Sequence, residues 1–144
     1  MLRQLSRKDI PVLLKELQHL SDDVKHQFHP HPFTNEALQA ARTAQGDYHY
    51  VFVNDDYILG YSFLRTFNKY PIPTYGGVIW KQYRGKGFGS IMLDETLDKA
   101  RELGFSTVKL KVYKTNNRAF QLYKKHGFTI IDEEGSEWWM QKTL

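Results

Sequence analysis

The run Arg84-Gly85-Lys86-Gly87-Phe88-Gly89-Ser90 lies between a stretch that reads as a strand, Tyr75 to Trp80, and one that reads as a helix, from near Phe88 to about Leu103. Glycines at this junction let the backbone approach a ligand closely. The first N–H groups of the helix have no partner within it, so they point at whatever sits there and favour an anion, phosphate above all. Arg84 and Lys86 add positive charge to the same place. The spacing is G-x-G-x-G, so it is not the G-x-G-x-x-G of a dinucleotide fold, and no acidic residue stands where a ribose would need one. It also lacks the four residues that separate the first glycine of a P-loop from Gly-Lys-Ser/Thr.

Outward from this turn the chain alternates strand and helix. Thr107 to Val112 reads as a strand, Asn116 to His126 as a helix stopped by Gly127, and Phe128 to Asp132 and Trp138 to Thr143 as two more strands. Gly104 suits the C-cap of the helix before them. On the other side, Tyr48 to Val53 and Tyr57 to Thr66 are rich in aromatic and β-branched residues around Asn54-Asp55-Asp56, which predicts an antiparallel hairpin. Nearer the start, Leu2 to Leu5 reads as a short strand. Ile10, Leu13, Leu14, Leu17 and Leu20 fall at helical spacing within Lys8 to Leu20. Ser21 and two aspartates open a second helical piece that His29-Pro30-His31-Pro32 must interrupt, and Thr34 caps a helix to about Ala44. The order is written β-α-α-β-β-β-α-β-α-β-β. Crossover helices in the second half imply parallel pairing and the hairpin implies antiparallel pairing, so an α/β fold with a mixed sheet follows.

The 144 residues suit a single domain, 1–144, with no repeat and no linker. No apolar stretch approaches the roughly 18 residues of a membrane span, and the first residues lack a signal-peptide pattern, so a cytoplasmic, non-membrane protein is expected. The absence of cysteine excludes disulfides, thiolate metal sites and cysteine nucleophiles. A net charge of +4 is unevenly spread: residues 81 to 125 carry 11 basic residues against Asp94, Glu95, Asp98 and Glu102. Such a segment fits either an anionic partner or solvated helix faces.

Two motifs at this point resemble a known family. Arg84-x-x-Gly87-x-Gly89, preceded by Gln82-Tyr83 and a strand, resembles the pyrophosphate-binding motif of the GNAT superfamily of acetyl-CoA-dependent N-acetyltransferases. Asn116-x-x-Ala119-x-x-Leu122-Tyr123-x-x-x-Gly127-Phe128 is similar to that family's downstream helix signature. Together they cover roughly residues 48 to 144, while the first 45 match only in being helical.

The resemblance implies a twisted mixed sheet with helices on both faces and acetyl-CoA as co-substrate. It implies that the pyrophosphate lies on the amides of Arg84, Gly85, Lys86, Gly87, Phe88, Gly89 and Ser90, and that the cofactor arm pairs with Val78, Ile79 and Trp80, one of whose N–H groups polarises the thioester carbonyl. Asn116 would contact the arm, and Tyr123 would protonate the departing thiolate. Tyr123 also suits an ordinary core aromatic. Acetyl transfer to the amine of a small molecule or peptide would proceed by direct attack in a ternary complex. The chain departs from the family where a glutamate base is common, since Pro71 to Trp80 holds no carboxylate and Thr107 to Val112 offers only Lys109 and Lys111. An ordered water, His29, His31, Tyr75, Asp55 or Asp56 stands open for that role. Two other readings remain beside this one: a CoA-binding module without catalysis, and a nucleic-acid-binding protein using the basic segment.

His26, His29 and His31 lack a further ligand at metal spacing, so no metal is expected and a proline-stiffened loop with Phe28 and Phe33 turned inward is. Trp138, Trp139, Tyr48, Tyr50 and Tyr61 read as core and cross-strand aromatics rather than base-stacking platforms, and no nucleic-acid partner is expected. Asp132, Glu133, Glu134 and Glu137 around Gly135 read as a solvated turn. A homodimer is compatible with the resemblance, with the strand of Trp138 and Trp139 as its interface.

Overall fold

A computed structural model describes residues 1–144. Its strands are β1 (Leu2–Gln4), β2 (Asp47–Asn54), β3 (Tyr57–Arg65), β4 (Thr74–Ile79), β5 (Thr107–Tyr113), β6 (Thr129–Glu134) and β7 (Glu137–Thr143). Its helices are α1 (Ile10–Gln18), α2 (Asp22–Gln27), α3 (Asn35–Thr43), α4 (Phe88–Glu102) and α5 (Asn117–Lys125). The seven strands form one sheet in the order β1-β2-β3-β4-β5-β7-β6. β1 to β4 are antiparallel neighbours, β4 and β5 run parallel, and β5, β7 and β6 are again antiparallel.

Local chemistry accounts for the helical boundaries. Ser21 and Thr34 each accept a hydrogen bond from a first-turn amide, Val24 and Ala37 respectively, and so cap α2 and α3. The capped Asp22–Gln27 segment stands as a helix of its own, so the order gains one helix over the expected succession. Pro11 sits in the first turn of α1, where its missing N–H costs nothing. Leu103 ends α4, and Gly104 follows with φ +88°, a left-handed value that a side chain would resist.

Two apolar layers flank the sheet. On one face Ile10, Leu13 and Leu17 of α1 and Leu38 of α3 pack against Val51, Tyr61, Phe63 and Val78. On the other, Met92, Leu93, Leu97 and Ala100 of α4 meet Tyr50, Phe52, Leu64, Val108 and Leu110. Leu13, Leu17, Leu38 and Leu93 are fully buried, and each such side chain contributes roughly 1.5–3 kcal/mol. Between α4 and β3 the hydroxyls of Thr96 and Ser62 meet at 2.8 Å, which satisfies both within the core. α4 is thereby fixed in rotation as well as in position.

The sheet is two antiparallel blocks joined by one residue pair. β3 and β4 are paired over six positions and β5 and β7 over seven, but β4 and β5 share only Thr74 opposite Lys109, with the Lys109 N–H donating to Pro73 O at 3.1 Å. Beyond that bridge the strands part. Gly76 lies where the Phe63 ring crosses β4; a Cβ there would come within 2.1 Å of that ring. Gly76→Ala is expected to lower unfolding free energy by roughly 1–3 kcal/mol through overpacking, as read by urea denaturation, whereas an unchanged midpoint would show that the ring has room to move.

Candidate functional site

The parting of β4 from β5 opens a cleft of about 760 Å³. Its walls are the two strands, the turn before α4, the inner side of α5 and the segment from Val24 to Pro30. Hydrogen bonding in β4 alternates, and the Trp80 N–H donates to Leu59 O at 2.9 Å, which assigns Val78 and Gly76 to β3 in the same way. Gly77 and Ile79 therefore turn their backbone groups away from β3, Gly77 and the Ile79 N–H into the gap and the Ile79 carbonyl onto Arg84 Nε. Of the three residues the sequence singled out here, only Ile79 has this orientation. Trp80 is buried, does not line the cleft, and donates its indole N–H to Ile58 O at 2.9 Å. Gly77 was missed, although adjacent glycines inside a strand already signal a close approach.

At one end of the cleft lies the glycine turn. Gly85 and Gly87 have φ +77° and +84°, and a Cβ built on either meets nothing within 4 Å, so both open onto free space. Gly87 is the N-cap of α4 and supplies no side-chain cap, and the first helical bond runs from Ile91 N to Gly87 O. The amides of Phe88, Gly89 and Ser90 are left without helical partners, at the positive end of a fifteen-residue helix with no acidic residue in its first turn. Arg84 anchors its Nε on Ile79 O at 2.8 Å. Burial and the nearby Arg118 both push its guanidinium below the usual arginine value. The ion pairs of the chain involve neither arginine. Two crowded, uncompensated cations over free amides are the chemistry of a polyphosphate seat. Arg84, Gly85, Gly87, Phe88, Gly89 and Ser90 line it, and Lys86 lies outside the lining.

Along the cleft, Asn116 caps α5 through Oδ1, which accepts from Ala119 N at 3.2 Å, and its amide nitrogen is free for a guest. Tyr123 and Tyr75 meet edge to face with ring centroids 6.2 Å apart. Burial raises the Tyr123 phenol to about 12 and, with the neighbouring Tyr123 as a lesser cause, lifts Tyr75 well above the ordinary value. Both phenols are therefore proton donors at neutral pH rather than phenolates.

The far end is built by the α2 segment. His26 packs on Tyr113 at 4.9 Å between centroids and so links α2 to the end of β5. Phe28 leans on Phe63 and Tyr61. The loop after it is tied to β3 twice: Arg65 donates to Pro30 O at 2.8 Å, and His31 Nε2 meets the Tyr61 hydroxyl at 3.0 Å. His31 Nδ1 lies 2.9 Å from Pro32 O and so carries the proton, which makes Tyr61 the donor to His31 and His49, 2.6 Å away, the donor to Tyr61. His49, depressed to about 3 chiefly by burial, suits this neutral chain. Of the residues open for the base, His29 and Tyr75 line the cleft; His31 is engaged behind it, and Asp55 and Asp56 lie away at the β2–β3 turn. No group of three or more metal-ligating side chains is present.

Known proteins resemble this chain in sequence and in fold. A model of the acetyltransferase (GNAT) family matches residues 14–128. Over 50 residues the chain is 42% identical to acetyltransferase PseH of Campylobacter jejuni subsp. jejuni, which covers 34% of this chain and 32% of that protein; the match thus spans about a third of the curated relative. The PaiA N-acetyltransferase of Thermoplasma acidophilum, solved in complex with coenzyme A, superposes with a TM-score of 0.81 at 19% identity, covering 100% of this chain and 98% of that one. Spermidine N-acetyltransferase of Vibrio cholerae, solved with CoA and spermine, gives 0.84 at 18% identity over 99% and 94% of the two chains.

Gly87→Glu places a carboxylate and a side chain in the seat and is expected to abolish calorimetric binding of CoA while leaving the melting curve within a few degrees of wild type, a Cβ here costing on the order of 1–2 kcal/mol. Retained CoA affinity in a folded Gly87→Glu protein would move the anion seat elsewhere.

Proposed function

The chain belongs to the acetyltransferase (GNAT) family, and from that premise we propose that it moves an acetyl group from acetyl-CoA to the primary amine of a small molecule or peptide, as a single domain over residues 1–144, by direct attack within a ternary complex. The observation that carries this reading is the parting of β4 from β5, because it joins a phosphate seat, an unpaired strand edge and two protonated phenols in one cleft.

Acetyl-CoA, once bound, supplies an acyl carbon activated by a thiolate leaving group. The residues of the chain supply the rest. Arg84 and the amides of Gly85, Gly87, Phe88, Gly89 and Ser90 would hold the pyrophosphate, and the free backbone groups of Gly77 and the Ile79 N–H, with the Asn116 amide, would hold the extended arm. An N–H of Gly77 or Ile79 aimed into the gap favours negative charge developing on an oxygen placed there. Tyr123 would supply its phenolic proton to the departing thiolate. His29 is our candidate for receiving the proton of the amine: its Nδ1 faces Lys25 O at 3.2 Å and donates to it, which leaves the Nε2 lone pair free in the neutral ring. Phe28, Phe63 and Tyr113, the last packed on His26, give the middle of the cleft an aromatic wall. A module that only binds CoA has no need of two free phenols and an imidazole along the arm, so the catalytic reading is preferred.

The charges of the cleft bear on the acceptor. Arg84, Lys111, Arg118 and Lys125 line it against one carboxylate, Glu137, which is already held by Lys111 at 3.7 Å. A polycationic amine finds no free counter-charge here, so the spermidine acceptor named for the Vibrio neighbour is not carried over; an amine on a neutral or anionic body fits better.

Tyr123→Phe is expected to lower kcat by roughly 10²-fold, the ordinary worth of a placed general acid, and His29→Gln to lower kcat/KM by at least about tenfold. The neutral phenol is the active form and persists until pH nears about 12, so the wild-type rate should show no alkaline fall through the usual phenol range near ~10. A limb near pH 9 to 10 that vanishes in Tyr123→Phe would keep the phenol as the acid but return its ionisation to the ordinary range, and a Tyr123→Phe rate equal to wild type would assign the residue another role. In an amine screen at equal concentration, neutral or anionic primary amines should exceed spermidine in kcat/KM; the reverse order would overturn the charge argument.

A further inference from the structure

Behind the phosphate seat, where the first turn of α4 meets the last turn of α5, lies a contact that the reaction above does not use. Ser90 Oγ is 3.0 Å from His126 Nε2, and Asp94 Oδ1 is 3.3 Å from the same nitrogen. The other ring nitrogen, Nδ1, is 2.9 Å from Leu122 O. A carbonyl only accepts, so Nδ1 carries a proton in every state of the ring. The state of Nε2 then dictates what Ser90 does. With Nε2 unprotonated, the single Ser90 proton is donated to the imidazole, and the hydroxyl turns lone pairs toward the cleft it lines. With Nε2 protonated, the imidazolium donates to Ser90 Oγ and to the Asp94 carboxylate, and the Ser90 proton is released to point at the seat.

We propose that His126 is a positioning residue for the anion seat: by taking up a proton it orients the Ser90 hydroxyl as a donor to the pyrophosphate of the co-substrate, so that co-substrate binding and protonation of His126 favour one another. The inference rests on the acetyl-CoA reading above. The surroundings of His126 are specified. Asp94 from α4 favours the imidazolium, as do the carbonyl ends of α5, where His126 is the C-cap. Lys142 of β7, bonded to the His126 carbonyl, and Lys124 and Lys125 of α5 oppose it. The His126 side chain is 11% exposed, which holds the ring in the one orientation that reaches Ser90. The linkage is reciprocal by thermodynamic necessity: whatever factor protonation contributes to affinity, binding contributes to proton affinity.

The probe is dephospho-CoA, which keeps the pyrophosphate but lacks the terminal phosphate monoester whose own ionisation near ~6 would exchange protons. It is titrated calorimetrically at pH 7 in buffers of different ionisation enthalpy, and its affinity is followed from pH 6 to 8.5. The wild-type protein is expected to take up a fraction of a proton and to bind several-fold more weakly at the alkaline end. His126→Gln and Ser90→Ala should each abolish the uptake and flatten the pH dependence. Binding without proton uptake by the wild-type protein, or uptake that persists in a folded His126→Gln or Ser90→Ala protein, overturns the proposal. Failure of the wild-type protein to bind either CoA or dephospho-CoA overturns the acetyl-CoA reading instead.

Discussion

The site depends on one bridge, Thr74 to Lys109. β4 is committed to β3 along its whole length and β5 to β7 along its own, and the two antiparallel blocks are joined through that pair alone. A parallel pair that ends after one residue leaves two strand edges facing each other with backbone donors and acceptors unspent. Such groups are costly to bury unpaired, so the gap must stay wet or admit a guest that forms hydrogen bonds along its length. The bridge is therefore what gives this sheet a cleft able to admit a guest. Its position also aligns the cleft with the N-terminus of α4, because the strand that opens the gap leads straight into the turn that starts the helix.

Around that opening the glycines perform separate tasks. Gly76 and Gly77 give up side chains so that Phe63 can cross one face of β4 while the Tyr75 hydroxyl and Met92 crowd the other; added Cβ atoms would lie 2.1 Å and 2.4 Å from Phe63 and Tyr75 respectively. Gly85 and Gly87 do the opposite, leaving space that nothing in the chain fills. The first pair stiffens the wall and the second empties the seat. Composition alone counts these four residues alike, and the distinction appears only when their neighbours are known.

How much was legible follows the same division. The turn and the helix signature around Tyr123 could be read because their chemistry is carried by the backbone: left-handed glycines, free amides and capping residues leave marks at fixed spacing. The hairpin, α4 and the C-terminal strands were read for the related reason that their periods are dictated by burial on one face. The orientation of β4 was not legible, since a strand of six residues reads the same with either set of amides turned to the gap, so the sequence does not separate Trp80 and Val78 from Ile79. The independent helix Asp22–Gln27 was hidden by its length and by the prolines after it; it exists because Ser21 caps it and because His26, Val24 and Phe28 have partners on the sheet.

The end of the cleft built by the α2 segment was the least legible, for a physical reason. Its surfaces come from α2, from the loop holding His29 and from the tips of β5 and β7, segments brought together only by the His26–Tyr113, His31–Tyr61 and Arg65–Pro30 contacts across as many as 87 positions of chain. Side-chain recognition of this kind has no spacing rule, because each contributor reaches the site from a different element. The same holds for His126, which belongs to the helix signature in sequence but acts on Ser90, 36 positions earlier. A residue whose work is to orient another leaves no motif of its own. It becomes visible only when the acceptor of each hydrogen bond is identified, and here the decisive acceptor is a main-chain carbonyl, Leu122, which leaves the second nitrogen of the ring free to couple a proton to an anion.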